Sequence, residues 1–102
     1  MKGFNEMLKH FKSDLETLHN QLKEKTVEVS IDELVSVTAN GLQEIHDVKI
    51  HSKAFSENLR EDLEKAIVKA CNEVMAEARK MVKDKLGKLT EEIDLKNLEG
   101  LF

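Results

Sequence analysis

The chain has 102 residues, 40% of them apolar and 35% charged, with no proline, tryptophan or tyrosine and a net charge of −4. That length allows one domain with one modest core, and the charge content fits long solvated helices better than a sandwich or barrel of many short strands. No apolar run approaches the ~20 residues that span a bilayer, and overall acidity speaks against coating DNA through bulk charge.

The first element is a helix over about residues 3–24. Phe4, Leu8, Phe11, Leu15, Leu18 and Leu22 recur at alternating spacings of four and three, a heptad-like seam that must lie against something. The period then changes to two. Val27, Val29 and Ile31 predict one strand, and Val35, Val37 and Ala39 predict a second, with Asp32-Glu33 as the break between them. Asn40-Gly41 follows, a strong signal for a type I′ hairpin turn. A third strand runs over about residues 42–50.

A strict two-residue turn at Asn40-Gly41 would put Val48 and Ile50 on the face of Val35 and Val37 and turn Ile45 away. Either Ile45 covers a second surface, or a β-bulge near His46-Asp47 switches the parity and brings it inward. After a connector over residues 52–56, with Ser56 as helix cap and Glu57 in the first turn, apolar and small residues predict a long helix over roughly 57–86. Gly87 reads as its C-cap. Residues 90–102 carry four acids against one lysine and form an expected acidic, flexible tail beyond a domain of residues 1–89.

The resulting fold class is α+β: helix, three-stranded antiparallel meander, long helix. Expected core or interface positions are Phe4, Leu8, Phe11, Leu15, Val35, Val37, Val48, Ile50, Ile67 and Val74. One copy has too few elements to cover every apolar stripe, so a homodimer is expected. Asn72, polar among apolar and small neighbours, predicts a buried amide that fixes helix registry.

Chemistry-bearing clusters are sparse. His10, His19, His46 and His51 lack metal-ligand spacing, so no metal is expected. Cys71 lies on an apolar helical face and reads as an inert core thiol in a reducing, cytosolic setting. No phosphate loop, nucleophile motif or paired catalytic carboxylate appears, and an enzyme with a cofactor or small-molecule substrate is not expected. Charge is uneven instead. Lys2, Lys9, His10 and Lys12 decorate the start of the first helix, and Arg79, Lys80, Lys83, Lys85 and Lys88 the end of the second. Spacing alone reads these as solvated helix ends.

The stretch from Val35 to Ile50, VSVTANGLQEIHDVKI, resembles the signature hairpin of the YbaB/EbfC family of bacterial nucleoid-associated proteins, V-x-V-T-x-N-G-x-x-x-V-x-x-V-x-I. Leu63 to Val74, LEKAIVKACNEV, is similar to that family's L-E-D-L-V-x-A-A-x-N-D-A, and the ending Gly100-Leu101-Phe102 is similar to family endings. Two departures stand out: Asp32-Glu33 replaces a Gly-containing loop, and Ile50-His51-Ser52 replaces I-D-P. The resemblance implies a tweezer-like homodimer in the bacterial cytoplasm and nucleoid. It also implies binding of double-stranded DNA, with altered DNA conformation and gene regulation. On that implication the basic residues above become DNA contacts. The competing reading is a dimeric helical protein–protein interaction module without DNA binding.

Overall fold

The computed structural model describes residues 2–56 and 58–92. Helix α1 spans Lys2–Glu24, strands β1, β2 and β3 span Thr26–Ile31, Val35–Asn40 and Ile45–Ile50, and helix α2 spans Arg60–Glu92. A short 3-10 helix, Ser52–Phe55, joins β3 to α2. The strands form one antiparallel sheet in the order β1-β2-β3. The molecule measures 69 × 19 × 13 Å, so the helices carry it far beyond the sheet.

Register explains which face is apolar. Val27 pairs with Ala39, Val29 with Val37 and Ile31 with Val35. Across the other side of β2, Val35 pairs with Ile50 and Val37 with Val48. The register then steps, with Thr38 opposite Asp47 and Ala39 opposite Ile45. His46 is the extra residue, and the bulge returns Ile45 to the face of Val48 and Ile50, since side chains alternate along a strand.

Helix α2 crosses this face over β1 and β2. Ala66, Ala70, Val74 and Ala78, spaced by four, are buried, the first three against Val35, Val37 and Ala39. Their small side chains let the helix approach the sheet closely. Leu63, Ile67, Cys71 and Met75 pack beside them, partly buried. On β3 the same face stays open: Ile45, Val48 and Ile50 are each more than 40% exposed.

The two hairpins reverse the turn chemistry expected from sequence. Left-handed backbone lies in the first hairpin, at Asp32 (φ 52°) and Glu33 (φ 58°), and the Leu34 N–H donates to the Ile31 carbonyl at 2.9 Å. Two adjacent positive φ values are the pattern of a type I′ turn. Asn40-Gly41 is not one, because neither residue has positive φ. The loop there is Gly41-Leu42-Gln43, closed by the Asn40 N–H on the Glu44 carbonyl at 3.0 Å, and Gln43 supplies the left-handed position (φ 63°). A three-residue hairpin ending in a left-handed residue is the next commonest solution.

Tertiary contact explains why. Asn40 is fully buried, and its side chain uses every hydrogen-bonding site it has. Nδ2 donates to the Lys23 carbonyl at 3.1 Å and to Glu44 Oε1 at 2.8 Å. Oδ1 accepts from the Leu42 and Glu44 N–H groups, both at 3.0 Å. The residue thus closes the loop and satisfies one carbonyl left open at the end of α1. The registry-fixing amide expected at Asn72 is this one, whereas Asn72 itself is exposed.

The bounds of α2 also differ from expectation. Asn58 has φ 78°, which a right-handed helix cannot contain, so α2 starts at Arg60 and its first internal bond runs from the Leu63 N–H to the Leu59 carbonyl at 2.8 Å. Ser56 instead closes the 3-10 helix, its N–H donating to the Lys53 carbonyl. Glu57 lies outside the described residues. At the other end α2 runs through Gly87 to Glu92. A mid-helix glycine costs about 1 kcal/mol. Packing beyond it offsets that penalty, because half-buried Leu89 lies beside Leu18 of α1. The expected tail, residues 90–102, falls outside the described residues from 93 onward.

Candidate nucleic-acid interface

Helices α1 and α2 run antiparallel away from the sheet. Lys25, just after α1, shares a groove with Glu77, Lys80 and Asp84 of α2. Farther out, Asp14, Thr17, Leu18 and Gln21 share one with Lys85, Lys88 and Leu89. As α2 advances, α1 therefore recedes toward its N-terminus. Leu18 and Leu22 are buried along this seam, while Phe4, Leu8, Phe11 and Leu15 are exposed. Of the other expected core or interface residues, Val35, Val37 and Val74 are buried, Ile67 is half-buried, and Val48 and Ile50 are exposed.

The expected basic residues all lie on this arm. Arg79, Lys80, Lys83 and Lys88 are exposed and Lys85 is partly exposed. Lys85 and Lys88 stand beside the middle of α1, not beside its start. Lys9, His10 and Lys12 are exposed on the N-terminal half of α1, which also carries Lys2. The two clusters follow one another along the arm instead of meeting at one tip.

Sequence reasoning missed Lys25. It lies in the groove of about 390 Å³ with Lys80, Lys85 and Lys88. Lys25 stands near Lys85 across this groove, and its side chain and charge hold the Lys85 pKa below the usual lysine value; slight desolvation and the charge of Lys88 add to the effect. A group so placed gains from an anion that separates the two ammonium charges. Glu77 and Asp84 line the same groove and limit its positive field. No spacing rule could have found Lys25, because it is sixty positions from Lys85 and meets it only through the antiparallel fold.

Elsewhere the polar groups knit structure. Ser36 is 6% exposed, and its hydroxyl meets Ser30 Oγ at 2.7 Å and His51 Nε2 at 2.9 Å. This trio pins β1 and the end of β3 to the middle strand on the outer face. The exposed acids Glu28, Asp32, Glu33 and Asp47 outnumber Lys49 and Lys53, which pair with Asp47 and Glu33, so the sheet end is net negative. Among the described residues no three His, Cys, Asp or Glu side chains are grouped to hold a metal ion, and no helix is long and apolar enough to cross a membrane.

An antiparallel meander flanked by two long helices, with a local run of exposed bases near the end of α2, defines a small α+β protein. Residues 1–93 match the YbaB/EbfC DNA-binding family, and the chain belongs to that family. It is 34% identical to a nucleoid-associated protein of Moorella thermoacetica, over 93% of this chain and 95% of that one. It is 36% identical to one of Myxococcus xanthus, over 74% and 73%. The fold resembles the crystal structure of uncharacterized protein HP0035 from Helicobacter pylori, with TM-score 0.64, 22% identity, and coverage of 88% of this chain and 91% of that one.

Proposed function

We propose that the chain is a nucleoid-associated protein that binds double-stranded DNA as a homodimer and alters its conformation, acting in the bacterial cytoplasm on nucleoid organisation and gene expression. One observation carries this reading: in a chain of net charge −4, residues 79–88 of the arm hold five bases against one acid, while the strands and their loops are net acidic. Family membership supplies the ligand class. The arm residues are lysines, one arginine and a histidine, with no aromatic or amide array for reading base edges. Contacts are then mostly to phosphate and sequence preference is shallow.

The dimer surface in this reading is the open apolar strip of β3. Ile45, Val48 and Ile50 continue the core face past the edge of α2, with half-buried Ile67 and Cys71 beside them. A contiguous apolar strip at the edge of a core is what a second copy covers. Two-fold pairing there would give two basic arms flanking one cleft, and a duplex held between them would be constrained in shape.

A gel-shift series with salt tests the function. Affinity should fall steeply as salt rises, because each neutralised phosphate releases a counterion. Lys80→Glu with Lys83→Glu should weaken binding strongly without unfolding the chain, since both side chains are exposed. Salt-independent binding, or binding indifferent to that pair of substitutions, would refute phosphate-led recognition.

A further inference from the structure

The apolar stripe on the N-terminal half of α1 has no cover among the described residues. Phe4, Leu8, Phe11 and Leu15 are 43%, 46%, 38% and 37% exposed, whereas Leu18 and Leu22 farther along the same seam are buried. The seam thus goes bare where α2 runs out.

We propose that residues 93–102 of the same chain seat on this stripe and set their acidic side chains against the lysines that flank it. Direction supports this occupant. Helix α2 runs antiparallel to α1, with Leu89 beside Thr17 and Leu18, so its end at Glu92 points toward the bare residues. Length agrees: ten residues span ~15 Å as helix and ~33 Å extended. From Phe4 to Leu15 along α1 is ~17 Å at the helical rise of about 1.5 Å per residue. Chemistry agrees too, since Ile93, Leu95, Leu98, Leu101 and Phe102 supply apolar side chains.

Charge is complementary in sign. Residues 93–102 hold two acids, Asp94 and Glu99, and one lysine, while residues 2–12 hold three lysines and one glutamate. The seated segment brings Asp94 and Glu99 to the lysines proposed above as phosphate contacts. It therefore competes with duplex DNA for the outer arm and tunes affinity. That competition rests on the DNA-binding reading; the seating itself does not.

Hydrogen exchange on the full chain tests the seating. In Leu98→Ser with Leu101→Ser, amides of residues 4–15 should exchange about tenfold faster, the effect of losing one local packing contact. Residues 18–22 and strand β2 should keep their protection. The milder pair Asp94→Asn with Glu99→Gln, which leaves the apolar side chains in place, should accelerate the same amides by about threefold, as screened surface attraction predicts. Both variants should bind a duplex several-fold more tightly at low salt. Exchange over residues 4–15 that is unchanged in both variants overturns the proposal. So does protection there that grows with protein concentration and ignores both variants, because a second copy then covers the stripe. If no form binds duplex, the DNA reading fails while the exchange data still decide the seating.

Discussion

The Gly41 N–H donates to the Leu22 carbonyl at 2.8 Å, and a Cβ on Gly41 would lie 2.9 Å from that same oxygen and 2.7 Å from Leu22 Cδ2. Glycine is required here for close approach, not for an unusual φ. The contact fastens the end of α1 to the end of β2 and so fixes the direction in which the arm leaves the sheet. Gly41→Ala should lower stability by about 2 kcal/mol, as overpacking does. Adding Leu22→Ala should not rescue it, because the carbonyl clash remains. Urea melts of the three variants check this.

Asn40 and Asn72 should behave oppositely. Asn40→Ala removes two donated and two accepted hydrogen bonds from a fully buried site and leaves partners such as the Lys23 carbonyl unpaired. The expected loss is about 3 kcal/mol. Asn72→Ala, at an exposed helical position, should change stability by less than about 0.5 kcal/mol. Thermal melts of the two single variants separate these outcomes.

The first hairpin carries strain that glycine would relieve. Glu33 holds φ 58° with an ordinary side chain, a conformation that costs roughly 1–2 kcal/mol outside glycine. Its ion pair with Lys53, 3.6 Å long and exposed, returns little. Glu33→Gly should therefore raise stability by up to about 1 kcal/mol once the extra chain entropy of glycine is counted. Glu33→Val should lower it. Chemical denaturation curves of both variants give the comparison.

Much of the fold was legible because apolar residues must share faces. The conflict at Ile45 pointed to a bulge near His46-Asp47, and the extra residue is His46. What sequence misplaced depends on contacts distant in the chain. Asn40-Gly41 does mark a turn, but the carbonyls of Leu22 and Lys23 decide its geometry. Gly87 is a plausible stop for an isolated helix, yet α1 gives the helix a surface to continue along. At the arm, the exposed bases were readable from composition. The placement of Lys25 near Lys85 was not, because a groove formed by distant parts of the chain has no linear signature.

That proximity has a pH consequence. Lys85 holds its proton less tightly in the folded chain than when unfolded, so the unfolded state binds more protons in the window just below the usual lysine pKa. Stability should rise with pH across that window, as the repulsion between the two amines is relieved. Lys25→Met should move the Lys85 titration back up and remove the rise. A bound phosphate should do the same, so duplex binding in that window should take up protons. NMR titration of the Lys85 side chain, free and with duplex, reads both effects.

Sedimentation of the protein with a labelled duplex at two salt concentrations tests DNA binding by a pair of chains most directly. At micromolar concentration the protein alone should sediment at twice its chain mass of 11.7 kDa. At low salt the duplex should shift by multiples of two chains, and added salt should reverse the shift. A stable 11.7 kDa species, or a duplex whose sedimentation the protein leaves unchanged, would contradict it.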